Sequence, residues 1–403
     1  MTGTLGVEQR NGLPSAWKLA KLGNICHITM GTSPRGHTYN RDGIGEPLLN
    51  GPTEFGSRHP VAVQWTTEAI RFAERGDILF CVRGATTGRK NTADKRYCIG
   101  RGLAAIRGRA ELTDTDFLWY VLDVVTNELV ARAAGSTFVN LPGAELKRFQ
   151  VPLPPLAEQK RIAGILKEQL AAVQRARTSA EAQLEAAKAL PAAYLRDVFA
   201  EPDDANGNRR PIGDVCQLLP SKSIATAGDA EVRAITTACL TESGFDPSGI
   251  KTARMWSSDA EACVVAPREV LIARSNTTEL VGRVAMFPGE LSGTVASDLT
   301  IRIWAGETVE PQFLTTYLSF LYVTGYWREK AGGASGSMKK ITRSQISSLP
   351  IPVPGINEQR SIVRNVTRKM TQVRELEDYL RCEMQTIDAL PSSLLRLAFQ
   401  GRL

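Results

Sequence analysis

Arg83, Arg89, Lys90, Arg96, Arg101, Arg107 and Arg109 stand close together in the chain, with Asp94 the only acid between Arg83 and Arg109. Lysine and arginine at this density attract phosphate, because they displace the counterions of a nucleic-acid backbone. The plainer alternative is a solvated basic face, and the count alone leaves both open. Within the run, Arg83-Gly-Ala-Thr-Thr-Gly-Arg-Lys90 brings glycines, hydroxyls and bases together. That composition lets a backbone approach phosphate or base edges, although the spacing is not that of a nucleotide-binding P-loop. A second exposed loop is expected at Gly135-Ser-Thr-Phe-Val-Asn140.

Constellations for bond-making chemistry are missing from the sequence. No GxGxxG opens a helix, no Asn/Asp-Pro-Pro-aromatic run is present, and Pro202-Asp203-Asp204 has no Glu-x-Lys partner of the nuclease type. HExxH is absent, and His27, His37 and His59 have no serine or cysteine motif beside them. The seven cysteines are scattered without CxxC, so neither a zinc site nor a disulfide framework is expected. Cys26 and Cys216 sit in matching contexts (Leu22-Gly-Asn-Ile-Cys26 and Ile212-Gly-Asp-Val-Cys216) and read as small core residues. A non-catalytic binding protein is the physical reading.

With 403 residues, 43% hydrophobic and 23% charged, the chain has the length for two or three domains with full cores. No apolar run approaches the length of a membrane span, and the opening MTGTLGVEQRNGLPSAW lacks the pattern of a secretion signal. A cytoplasmic location is expected. The net charge of +7 is carried by the first half: residues 1–200 hold 26 Lys/Arg against 19 Asp/Glu, residues 201–403 hold 23 against 23.

The elements that position these loops are set out twice. Val151-Pro-Leu-Pro154 returns as Ile351-Pro-Val-Pro354, Glu158-Gln159 as Glu358-Gln359, Ala189-Leu-Pro191 as Ala389-Leu-Pro391, and Phe199 as Phe399, each pair 200 positions apart. A register held so long marks a tandem duplication. Each copy reads as a long helix that begins after its Pro-x-Pro. Ile162, Leu166, Val173, Ala176, Ala180, Ala187 and Leu190 form one stripe; Ile362, Val366, Val373, Leu376, Leu380, Ile387 and Leu390 form the other. Stripes this long resemble a coiled-coil seam, and two such helices most simply pair with each other. Pro191 and Pro391 are expected to end or kink them, leaving short apolar caps to Phe199 and Phe399.

Short strands and turns precede each helix. Gly76-Asp-Ile-Leu-Phe-Cys-Val82 reads as a turn entering a buried strand, and Arg268-Glu-Val-Leu-Ile-Ala273 as its repeat. Arg274-Ser-Asn-Thr-Thr-Glu-Leu-Val-Gly-Arg283 follows as Arg83 to Arg89 does in the first half. A helix is expected over Asp116–Glu128, Phe313–Leu318 matches its Phe117–Leu122, and Ser335–Lys340 matches Gly135–Asn140. The polar stretch Glu201–Arg210 reads as a linker.

Two modules, each closed by Pro-x-Pro, Glu-Gln and a long helix, resemble the specificity subunit (HsdS type) of type I restriction–modification systems. The residues are Val151-Pro-Leu-Pro-Pro-Leu-Ala-Glu-Gln-Lys-Arg-Ile162, Ile351-Pro-Val-Pro-Gly-Ile-Asn-Glu-Gln-Arg-Ser-Ile362, the Gly-Asp-Ile-Leu-Phe strand and the closing Ala398-Phe399-Gln400-Gly401. The resemblance implies an α+β chain: two similar mixed α/β target-recognition domains separated by two long helices pairing as an antiparallel coiled coil. Recognition domains would span 1–152 and 201–352, and spacer helices 153–200 and 353–403. Each domain would read half of an asymmetric, bipartite site in double-stranded DNA. Partners would be two methyltransferase subunits and a restriction subunit, with S-adenosylmethionine, ATP and Mg on those subunits and no cofactor in this chain.

Candidate DNA contacts are Arg35, Arg83, Arg89, Lys90 and Thr137 in the first repeat, and Arg274, Asn276, Arg283, Lys339 and Lys340 in the second. Arginine suits guanine and asparagine suits adenine by bidentate geometry. Arg83 and Arg274 follow buried strands directly, so each has the alternative role of anchoring a carboxylate. Glu158, Gln159, Glu358 and Gln359 fall in first helical turns, where they either cap, orient the helix or meet the methyltransferase. Two other functions compete: a stand-alone DNA-binding regulator, and a coiled-coil scaffold without a nucleic-acid role. A fused restriction enzyme is disfavoured by the missing motifs.

Overall fold

The computed structural model describes residues 14–133, 140–199, 209–289, 291, 293–335 and 338–403. Two compact units divide the chain: one runs to Glu181 and adds Cys382–Leu403, the other is Ala182–Arg381. Each unit is a β-rich body carrying one end of each long helix.

In the first unit, β1 (Lys18–Lys21) and β2 (Cys26–Met30) open the body, followed by β3 (Glu46–Leu49), β4 (Gln64–Thr66), β5 (Ile78–Cys81), β6 (Lys90–Thr92), β7 (Tyr97–Ile99) and β8 (Leu103–Gly108). One antiparallel sheet has the order β2-β8-β5-β6; a second, five-stranded sheet contains β4, β3 and β7, with β3 and β7 parallel. The run Ile78-Leu-Phe-Cys81 is apolar at every position because both its faces are covered. Ile78, Phe80, Ala104 and Ile106 pack on Phe117, Leu118, Val121 and Val125 of the helix Thr115–Ala133, whereas Leu79, Cys81, Leu103 and Ala105 pack on Leu49, Ala73, Tyr97 and Ile99. Period-two alternation on a central strand thus joins two cores. β1 pairs with β9 (Gln150–Leu153), so the body's two ends meet where the first long helix starts.

The second unit repeats this frame. β10 (Arg209–Pro211), β11 (Cys216–Leu219), β12 (Ala230–Ile235), β13 (Lys251–Met255), β14 (Val270–Ala273), β15 (Ser275–Asn276), β16 (Val284–Met286), β17 (Thr294–Ala296) and β18 (Thr300–Ala305) lead to the helix Pro311–Val323, then β19 (Gly332–Ser335), β20 (Met338–Lys340) and β21 (Pro350–Pro352). The order β11-β18-β14-β16 reproduces β2-β8-β5-β6, and β10 pairs with β21 as β1 does with β9. The matched cysteines are buried core residues, and burial pushes the Cys26 thiol up to about 12.

The long helices are Leu156–Phe199 and Ile356–Phe399, each unbroken through its proline. Of the two expectations for Pro191 and Pro391, an end or a kink, the end is therefore corrected. A proline removes one hydrogen bond, and burial of the last turn offsets that loss. Leu195 and Phe199 enter the second body's core beside Phe313 and Tyr317, and Ala398 and Phe399 enter the first beside Phe117. Within the first unit, Arg161 Nη2 donates to the Leu403 carbonyl at 2.7 Å and Arg177 Nε meets Asp388 at 3.1 Å, so the helix segments run antiparallel. Within the second unit, the Lys369 ammonium lies 4.6 Å from the Tyr194 ring centroid.

The seam is narrower than the sequence stripe. Ala180, Ala187, Val366, Val373, Leu380 and Ile387 are buried, whereas Ala176, Leu376 and Leu390 are exposed. Steps of seven run through Ala180 and Ala187 and through Val366, Val373, Leu380 and Ile387, and Leu184 is buried between the first two.

Candidate nucleic-acid interface

The basic run does not form one patch, because acids distant in sequence take up three of its seven named cations. The Lys90 ammonium is 2.6 Å from the Asp123 carboxylate, donates to the Trp119 carbonyl at 2.6 Å and lies 4.0 Å from the Trp119 ring centroid. Its side chain is 8% exposed, and burial, outweighing the Asp123 carboxylate, pushes its pKa down to about 8. Lys90 is therefore held against the covering helix, with its side chain largely out of solvent. Arg96 stacks on Phe72 between Glu46 and Glu74, and Arg107 is hydrogen-bonded to Asp77. Arg83, Arg89 and Arg101 remain exposed without a carboxylate partner among the described residues.

The two loops marked in the sequence meet in each body. In the first unit Arg83 and Asn140 form a lone antiparallel bridge, and Arg83 Nε donates to Asn140 Oδ1 at 3.3 Å. In the second, β15 pairs with β20, setting Ser275 opposite Lys340 and Asn276 opposite Lys339. Lys340 is exposed; Lys339 and Asn276 are half-buried, and Asn276 Oδ1 accepts the Thr277 N–H at 2.9 Å. Arg35 is exposed, on a turn whose carbonyl accepts from Thr38. Thr137 lies outside the described residues.

The structure also fixes which residues correspond. Val82 donates its N–H to Gly102 and accepts from Leu141; Arg274 does the same with Leu299 and Ile341. Arg274 thus stands where the first body has Val82, and Arg83 matches Ser275, one residue off the alignment that the sequence suggested. Arg274 Nη1 reaches the Asp298 carbonyl at 3.4 Å, while its Nε is buried without a partner. Arg89 and Arg283 are true equivalents, their carbonyls accepting the N–H groups of Cys81 and Ala273. They differ in use: Arg89 is exposed with no side-chain bond among the described residues, whereas Arg283 binds Tyr322 Oη at 3.0 Å and Glu242 at 3.4 Å.

Gln159 and Gln359 are fully buried, each clamping its long helix to its body. Gln159 Nε2 donates to the carbonyls of Leu112 and Pro154 at 3.0 and 2.8 Å. Gln359 repeats this on Thr308 and Pro354, at 2.8 and 2.7 Å. Glu158 faces outward, paired with Arg161, which holds its carboxyl below the usual range; Glu358 is exposed.

Sequence reasoning missed a convergence at one edge of the first body. The ends of β2, β3, β5 and β7 and the start of β8 meet there, through Gly31 N–H to Leu103, Thr32 N–H to Ile99, Gly100 N–H to Leu49 and Val82 N–H to Gly102. Ser33, Asn50, Gln64, Arg83 and Arg101 gather on it. Gly31, Gly100 and Gly102 permit the approach: a Cβ on Gly31 would come within 2.1 Å of the Gly100 carbonyl. An arginine between two glycines was the available signal.

Residues 14–184 match the family described as the type I restriction modification DNA specificity domain. A protein assigned as the MjaX type I restriction enzyme specificity subunit of Methanocaldococcus jannaschii is 38% identical over 157 residues, which is 38% of this chain and 37% of that one. The EcoBI specificity subunit of Escherichia coli is 21% identical over 98% of this chain and 89% of its own. The chain carries the DNA specificity domain of type I restriction–modification systems. The HsdS subunit from Thermoanaerobacter tengcongensis has the same fold, with a TM-score of 0.68 at 19% identity over 97% of this chain and 98% of that one. Two β-rich bodies and a pair of long helices in antiparallel contact are the architecture of an HsdS chain, in which the role is specificity and not catalysis.

Proposed function

We propose that each β-rich body of this chain reads one half of a bipartite, asymmetric site in double-stranded DNA. The reading heads are assigned to 1–152 and 201–352. The helices of 153–200 and 353–403 set the spacing of the half-sites and dock two methyltransferase subunits, to which a restriction subunit joins. S-adenosylmethionine, ATP and Mg belong to those partners, in the cytoplasm. The observation that carries this reading is one buried frame built twice with different side chains at the meeting point of its loops: Arg83 with Asn140 in one body, Ser275 and Asn276 with Lys340 and Lys339 in the other. Base identity is read by such side chains, while phosphate contacts fix register. A 44-residue helix is about 66 Å long, which suits a spacer, and joining two short readouts raises affinity through effective concentration.

The test is co-purification of the chain with neighbouring modification subunits, followed by mapping of methylated adenines and DNA binding over a salt series. A split motif with fixed gap is expected, and Arg89→Ala lowers both affinity and salt slope. Tight operator-like binding without modification subunits would favour the regulator instead, and no salt-dependent affinity would favour the scaffold.

A further inference from the structure

The two bodies carry the same turn at the same point of the frame, and it holds opposite charges. In the first, the chain leaves β7 through Gly100-Arg101-Gly102, and the Leu103 N–H closes the turn on the Gly100 carbonyl at 3.0 Å. In the second, it leaves β17 through Ser297-Asp298-Leu299, and the Thr300 N–H closes on Ser297 at 3.0 Å. The equivalence rests on hydrogen bonding, not numbering. Gly102 and Leu299 each accept the N–H that follows the central strand, at 2.9 Å in both. The strand before each turn is paired in parallel with a matching neighbour, β3 or β12. Arg101 and Asp298 therefore occupy the first corner of corresponding β-turns.

Neither side chain has structural employment. Arg101 is exposed and Asp298 half-exposed, and no hydrogen bond or ion pair of either side chain exists among the described residues. Arg96, Arg107, Arg268 and Arg302 are by contrast each held by an acid. The neighbours of Asp298 leave it unneutralised, since the Lys222 ammonium turns to Asp259 at 3.5 Å and Arg274 reaches only the Asp298 carbonyl. Polar groups flank Arg101: its N–H donates to Ser33 Oγ at 3.2 Å, and Asn50 bonds Gln64 beside it.

We propose that Arg101 and Asp298 are specificity-determining residues, reading a G·C pair in their respective half-sites from opposite strands. The proposal rests on the DNA-reading function above. Phosphate contact would favour a cation at both corners, and a carboxylate there is repelled by phosphates. Only base-edge donors reward it, and the cytosine N4 amine in the major groove is the one matched to aspartate. Arginine presents paired donors to guanine O6 and N7, the complementary pattern. One frame thus displays donors in the first head and acceptors in the second, which makes the composite site asymmetric.

The full chain, purified with its modification subunits, is incubated with a pool of randomised duplexes, and the retained DNA is sequenced. Wild type, Arg101→Ala, Arg101→Gln, Asp298→Ala and Asp298→Asn are compared, each checked for an unchanged melting temperature. Both Arg101 variants are expected to relax one G·C position in one half-site by about tenfold and leave the other half-site intact; the Asp298 variants do the reverse. Unaltered preferences in the variants overturn the assignment. So does a uniform loss of affinity with a shallower salt slope in the Arg101 variants, which marks a phosphate contact. A wild-type complex that selects no sequence removes the DNA-reading function itself, whereas a selective wild type with unaffected variants removes only this inference.

Discussion

Gln159 Oε1 accepts the Asp114 N–H at 2.9 Å, joining the start of the first long helix to the start of the helix that covers the first body's sheet. Gln359 holds Glu310 in the same way at 2.8 Å. Each carboxamide is fully buried with its acceptor and both donors satisfied. Gln159→Ala leaves the Asp114 N–H and the Leu112 and Pro154 carbonyls without this partner and should cost about 2–5 kcal/mol, at roughly 1–3 per group with partial relaxation. Gln159→Glu keeps the shape but sets an oxygen against two carbonyls, and should be no better than alanine. Urea unfolding gives both values, and a loss below about 1 kcal/mol would show that the clamp is dispensable.

A buried ion pair ties the second body together. Arg302 and Glu269 are 3% and 1% exposed and bonded twice, each at 2.8 Å, and Arg302 also donates to the carbonyls of Pro220, Ala262 and Val264. Arg302→Met strands a buried carboxylate and should destabilise by about 3–5 kcal/mol. Adding Glu269→Gln removes that charge, so the double variant should lose less than the sum of the singles. A double-mutant cycle checks this, and strict additivity would mean the two groups act independently.

Lys90 makes alkaline stability rise. Its pKa is about 8 in the folded protein against 10.5 for the free side chain. Between those values the unfolded chain binds more protons, so the free energy of unfolding increases with pH across that window. Lys90→Met should abolish the rise and be neutral or stabilising at pH 7, because Asp123, 38% exposed, stays hydrated. Denaturation midpoints from pH 7 to 10.5 report both effects.

Gly76 and Arg268 hold one left-handed corner of the repeated frame, at φ of 89° and 70°. A Cβ on Gly76 would meet nothing within 4 Å, so Gly76→Ala isolates backbone strain and should cost about 1 kcal/mol. Arg268→Gly relieves the same strain while losing an exposed ion pair to Glu310 of comparable size. Its stability should change by less than about 0.5 kcal/mol, as thermal melting would show.

The sequence by itself determined the duplication, the central strands and the start of each long helix. Those features are written in local patterns: Pro-x-Pro forbids helix before it, and apolar periodicity sets which face is buried. The tertiary structure alone decided which cations are free. Lys90 looked like part of a basic loop until Asp123, on the covering helix, came alongside it, and the one-residue shift that matches Arg83 to Ser275 is visible only in the hydrogen bonds. Pro191 lies inside a helix because Leu195 and Phe199 bury beyond it, a gain supplied by a body folded from later residues. Charge and burial depend on neighbours in space, and a chain read in order shows neighbours only along itself.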